Sequence, residues 1–161
     1  MEVTTWAEVD VSRPPGEVFD LATANETLPR VFHGRGPIPG IRAARVQDGG
    51  ALREGCVRQV TNSDGSVVEE RIVALRRPVT QQYELLSGFK PPFSWMVRSG
   101  GGRWTFTETP GGTHIRWEFH FVLTSPVFWP VARAVLSGPF RGAMQDCLHR
   151  IRDLATSGGS A

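Results

Sequence analysis

The sequence predicts an α+β fold: a curved antiparallel sheet of about seven strands wrapped round a long C-terminal helix, with two short helices after the first strand. Three observations carry this. From Ser125 to Ala155 apolar residues recur every three to four positions, from Val127, Val131 and Leu136 to Phe140, Met144, Leu148 and Ile151, which marks one long amphipathic helix. Between Thr113 and Leu123, Ile115, Trp117, Phe119, Phe121 and Leu123 alternate with His114, Arg116, Glu118 and His120, the signature of a sheet with one buried and one wet face. The apolar segments between these ends are separated by Asp48-Gly49-Gly50, Asn62-Ser63-Asp64-Gly65, Arg77-Pro78 and Pro110-Gly111-Gly112. Breaks of this kind favour antiparallel hairpins.

Taken in order, Val3–Val11 alternates and predicts a strand. Ser12-Arg-Pro-Pro-Gly-Glu17 opens a helix, with Ser12 or Arg13 at its cap and Val18, Phe19 and Leu21-Ala22 on its apolar side. Asn25–Phe32 predicts a second short helix, broken near Pro29, and Gly34–Gly40 a loop. Strands follow at Ile41–Gln47, Gly55–Thr61, Ser66–Arg76, Val79–Ser87 and Trp95–Thr109, the last with a glycine triplet at 100–102 as a point of interruption, and then at Thr113–Leu123. Ser125 is placed as the N-cap of the final helix with Pro126 in its first turn. Pro139 predicts a kink or a break into two segments. Residues 1–155 are expected to form one domain and 156–161 a disordered Gly/Ser tail.

Composition narrows the function classes. The formal charge is +2, Lys90 is the only lysine, and the arginines alternate with acids, so no nucleic-acid footprint is visible. No stretch nears the roughly 20 apolar residues of a membrane span, and the N-terminus lacks the pattern of a signal peptide. Cys56 and Cys147 stand apart in apolar surroundings, which predicts two reduced, buried thiols and a cytoplasmic protein. His114 and His120 are six strand residues apart, about 20 Å, too far to share a metal. Gly34-x-Gly36-x-x-x-Gly40 follows a helix and carries two prolines, so it is no dinucleotide fingerprint. No Gly-Lys step and no nucleophile elbow exist. Neither cofactor nor metal is expected.

At this point the order of elements resembles a known family, the helix-grip (SRPBCC) superfamily of START-related, Bet v 1-like and polyketide cyclase/dehydrase-type domains. The likeness spans Val3 to Leu154. Its marks are Pro14-Pro-Gly-Glu-Val-Phe19, the hairpin Gly55-x-x-Arg58…Asp64-Gly65…Glu70-x-Ile72, Gly102-x-Trp104-x-Phe106, Gly112-Thr113-x-Ile115-x-Trp117 and Met144-x-x-x-Leu148-x-x-Ile151. The resemblance implies an apolar cavity between sheet and long helix that holds a small hydrophobic ligand: a polyketide, a lipid or an aromatic. The cyclases of that family carry an arginine on the strand matching Ser66–Arg76, near the positions held here by Ile72 and Ala74; Arg71 and Arg76 lie beside them.

Parity then nominates side chains. Glu70 shares a face with Val68, Ile72 and Ala74. An odd loop at 62–66 sets Arg58 opposite Glu70, Val60 opposite Val68 and Cys56 opposite Ile72; a two-residue turn would set Gln59 opposite Glu70 instead. Arg58 and Glu70 are thus either an anchoring or acid–base pair, or an ion pair that fixes the hairpin. Tyr83, the only tyrosine, with Leu85 and Ser87 on its face, could offer a hydroxyl to a ligand carbonyl. Trp104, Trp117 and Phe119 on the sheet, and Phe140 and Met144 on the helix, are the candidate cavity walls, with plain core packing as the alternative. Trp95 and the Pro-rich Phe89–Phe93 segment are placed at the cavity mouth; His33 could also reach it. Three functions remain open. The first is a binder of a small hydrophobic molecule. The second is a polyketide aromatase/cyclase or related enzyme in which Arg58, Glu70 and Tyr83 orient carbonyls and move protons. The third is a protein-interaction module without ligand. Monomer and homodimer both remain open.

Overall fold

The computed structural model describes residues 1–158. Its strands, in chain order, are β1 (Glu2–Val11), β2 (Gly34–Arg35), β3 (Ile38–Pro39), β4 (Ile41–Val46), β5 (Val57–Asn62), β6 (Val67–Arg76), β7 (Thr80–Ser87), β8 (Val97–Thr109) and β9 (Gly112–Leu123). Seven of them form one antiparallel sheet in the order β1-β9-β8-β7-β6-β5-β4, while β2 and β3 make a separate small hairpin. Between β1 and β2 lie α1 (Pro15–Thr23) and α2 (Leu28–Val31), and α3 (Phe93–Met96) precedes β8. The chain closes with a 3₁₀ turn (Pro126–Phe128), α4 (Trp129–Val135), a π-helical turn (Leu136–Phe140) and α5 (Arg141–Gly158). This is the α+β architecture predicted above, with the sheet gripping the C-terminal helix.

The core sits where the two apolar stripes meet. Ile115, Trp117, Phe119, Phe121 and Leu123 of β9 are all buried, as are Leu136, Ala143, Cys147, Leu148 and Ile151 of the helical segment. α5 lies chiefly over β1 and α2 rather than over the middle of the sheet. The offset leaves the concave face of β5–β8 only partly covered, and the candidate site lies there.

Several elements depart from the sequence reading. The predicted loop at 34–40 contains the β2–β3 hairpin, made possible by Gly34 and Gly36 at φ 75° and 56°. The second short helix is only Leu28–Val31, with Pro29 in its first turn rather than at a break. β8 begins at Val97, and the glycine triplet does not interrupt it. The final helix opens as predicted, with the Ser125 side chain accepting from the Val127 N–H, but Val127 and Val131 are exposed. The break expected at Pro139 is present, since a π turn separates α4 from α5, but the single apolar stripe read from the sequence runs straight across it. The π turn around Pro139 inserts extra phase, so the segment before it presents a different face. α5 runs through Gly158, past the expected start of the tail; residues 159–161 lie outside the described part. Among the described residues, no helix is long and apolar enough to cross a membrane.

Candidate functional site

The offset of α5 leaves a cavity of about 560 Å³ between the sheet and the helical segment. Its sheet wall is a set of inward positions on adjacent strands: Arg58 and Val60 of β5, Val68 and Glu70 of β6, Gln81, Tyr83 and Leu85 of β7, Trp104 of β8, and Trp117, Phe119 and Phe121 of β9. Phe140 and Cys147 close the helical side, and Leu28, Phe32 and Ile38 one end. Asp64, Lys90, Pro91 and Pro92 line it and are exposed, so they mark the mouth. Most of this lining is apolar and aromatic, with a few polar groups set into it, the usual make-up of a small-molecule pocket. A second hollow, of about 650 Å³, runs along β4 between Asn25 and Gly50. Arg42, Arg45, Asp48 and their neighbours there are exposed, so it is a groove on the surface.

The aromatic wall is ordered by ring contacts. Trp104 stacks on Trp117 with centroids 4.4 Å apart and planes 20° from parallel. Phe119 lies 4.5 Å from Phe140, bridging sheet to helix. Phe89 and Phe93, flanking the Pro-rich segment, set their rings 6.0 and 6.2 Å from Phe121.

The hairpin register puts Arg58 opposite Glu70 and Val60 opposite Val68, the odd-loop alternative. Arg58 donates from Nε to Glu70 Oε1 at 3.2 Å, and its Nη1 reaches Asn25 Oδ1 at 3.4 Å. The ion pair is deeply buried, with side-chain exposures of 4% and 9%. The guanidinium charge is therefore already balanced before any ligand arrives. Ile72 is fully buried in the core and does not line the cavity, while Arg71 and Arg76 are exposed. The cavity's buried arginine thus comes from β5 and not from the strand where the resembling cyclases carry theirs. A register shift between Ile72 and Ala74 also breaks the parity assumed for β6. After it, Leu75 packs against the core, in place of Ala74.

Tyr83 accepts a hydrogen bond from Trp117 Nε1 at 3.2 Å. Burial, reinforced by the Glu70 carboxylate, pushes its hydroxyl pKa far up. It therefore keeps its proton and is not a base. Its ring needs Gly102, where a Cβ would lie 2.5 Å from Tyr83 Cζ. Gly102→Ala is expected to displace the ring, break the bond to Trp117 and cost roughly 1–3 kcal/mol by overpacking. Thermal melts check this, and an unchanged melting temperature would show that the ring gives way freely.

Other candidates stand off the cavity wall. Met144 is fully buried in the core but is absent from the cavity wall, where Cys147, three residues on, takes its place. Burial drives the Cys147 thiol pKa strongly upward, so it lines the wall as a small apolar group and not as a nucleophile. Trp95 is 68% exposed on α3 and does not line the cavity. Residues two apart on a helix point about 200° apart, so when Phe93 turns inward Trp95 turns out. Ser87 and His33 are exposed and also lie off the wall. His114 sits on the outer face of the sheet between Asp10 and Glu8, at 2.7 and 2.9 Å. Sequence reasoning missed Gln81 of β7, which is 2% exposed. Its parity with Tyr83 and Leu85 was the available signal.

A family model for polyketide cyclase/dehydrase and lipid transport proteins matches residues 2–156. Solved structures show the same fold at low identity. Ara h 8.0201 is 20% identical with a TM-score of 0.69, over 98% of this chain and 99% of that one. Major latex-like protein 151 from Panax ginseng is 15% identical with a TM-score of 0.66, over 97% of each chain. The di-domain ARO/CYC BexL of the BE-7585A biosynthetic pathway is 18% identical with a TM-score of 0.69; the match takes in 96% of this chain but only 50% of that one. Comparison with curated protein sequences gives no match.

Proposed function

The chain belongs to the polyketide cyclase/dehydrase and lipid transport family, and from that premise we propose that it holds a small hydrophobic molecule in the cavity between sheet and C-terminal helix. The observation that carries this is the hollow itself. About 560 Å³ stays open amid Trp104, Trp117, Phe119, Phe121 and Phe140. Pockets of roughly 300–1,000 Å³ suit small ligands, and empty apolar volume weakens a fold unless something occupies it. The ligand's apolar body lies against the stacked indoles, and the mouth beside Lys90 and the proline pair admits it. The two free, buried thiols support a reducing compartment such as the cytoplasm.

An aromatase/cyclase-like activity is the second reading. It is favoured by the meeting of Arg58, Glu70 and Tyr83 on one wall and by the family name. Against it, Arg58 is engaged by Glu70 and Asn25, and Tyr83 holds its proton too firmly to act as a base. Binding without turnover is the better fit.

Native mass spectrometry of protein purified from its own host tests the proposal. It should show a bound small molecule released on denaturation, and the emptied protein should then bind the neutral fluorophore N-phenyl-1-naphthylamine saturably. A bare protein with no saturable uptake would overturn the proposal.

A further inference from the structure

Gln81, on the cavity wall, takes no part in the Arg58–Glu70, Arg58–Asn25 or Trp117–Tyr83 hydrogen bonds. It is 2% exposed and lines the cavity, and its amide Nε2, itself sealed from solvent, finds no hydrogen-bond partner among the described residues, so a ligand reaches it when the terminal amide turns toward the hollow. Buried amide groups are almost always paired, and an unpaired one costs stability. Gln81 stands two residues before Tyr83 on the same inward face of β7, directly opposite Trp104 of β8. It is therefore beside the stacked indoles, where a flat apolar ligand would rest. The Tyr83 hydroxyl, which accepts from Trp117, also has its own proton left to give.

The charges nearby fix what sort of group can fill this gap. Arg58 is paired with Glu70, so the buried wall has no net positive charge to offer an anion. Lys90 is exposed at the mouth. A carboxylate carried to Gln81 would lose its water without gaining a counter-charge. A neutral oxygen acceptor would satisfy the amide at little desolvation cost.

We propose that Gln81 anchors an acceptor subsite: its amide N–H takes an uncharged carbonyl oxygen on the ligand, so that the cavity selects neutral ketone-type molecules over hydrocarbon or carboxylate analogues of the same shape. This rests on the cavity-binding reading above and adds the chemical class of the ligand. Gln81 is a binding residue here and takes part in no bond-making step.

Isothermal titration calorimetry with 2-acetylnaphthalene, 2-ethylnaphthalene and 2-naphthoate tests it, since the three share one apolar body. The wild-type protein should bind the ketone about five- to tenfold more tightly than the ethyl compound, with the naphthoate weakest. Gln81→Leu should abolish the preference for the ketone while leaving binding of the ethyl compound in place. Gln81→Met serves the same purpose if the leucine variant does not fold, and the wild-type comparison needs no variant at all. Equal wild-type binding of ketone and hydrocarbon, or a preference that survives both substitutions, would overturn the subsite alone. Failure of all three compounds to bind would overturn the cavity reading and the subsite with it.

Discussion

Arg58→Met should destabilise the protein by about 3–5 kcal/mol, the cost of stranding one member of a buried ion pair. For a chain of this length that is a fall in melting temperature of roughly 6–20 °C. The cause is Glu70, 7% exposed, whose carboxylate would keep its desolvation cost and lose its partner. The double variant Arg58→Met/Glu70→Leu should recover most of the loss, because an apolar pair of similar volume has no charge to bury. Thermal and urea melts of the two single variants and the double form a complete cycle. Near-additive losses would show that the two side chains are solvated separately through the cavity, and the pair would then be free to engage a ligand.

Leu85→Trp is the second large effect. Leu85 lines the cavity from β7, so the added indole grows into open volume and not into packed core. Stability should change by less than about 1 kcal/mol, below the usual penalty of overpacking. Binding of N-phenyl-1-naphthylamine should nevertheless weaken at least about tenfold, the equivalent of about 1.4 kcal/mol. Unchanged affinity would put the fluorophore somewhere other than this cavity.

Much of this was legible from periodicity. β9 alternates without a fault, so the inward side of Ile115, Trp117 and Phe119 followed from the sequence, and Trp104 and Phe106 continued it on β8. Matching Val60 with Val68 across the turn supported the Arg58–Glu70 register but left Gln59 opposite Glu70 as an alternative, and the strand pairing decides for Arg58. What failed did so wherever the period breaks. The shift between Ile72 and Ala74 changes which residues of β6 face inward, and sequence alone gives no sign of it. The π turn at Leu136–Phe140 rephases the final helix, which put Val127 and Val131 on the wrong side. Met144 and Cys147 differ by about 60° around a helix, finer than a hydrophobic stripe resolves, and only the seating of α5 toward β1 decides between them. Gln81 was passed over because a glutamine in a strand reads as solvent-facing, although its parity with Tyr83 points inward.

The central claim is that ligand enters the hollow beside the stacked indoles. The five tryptophans make it directly measurable by following their indole N–H resonances by NMR during a titration with N-phenyl-1-naphthylamine. Trp104 and Trp117 line the cavity, whereas Trp6 and Trp95 are exposed, at 37% and 68%. Saturable shifts are expected at Trp104 and Trp117, with Trp6 and Trp95 unmoved. Shifts at Trp95 or Trp6 with the buried pair silent would contradict that claim.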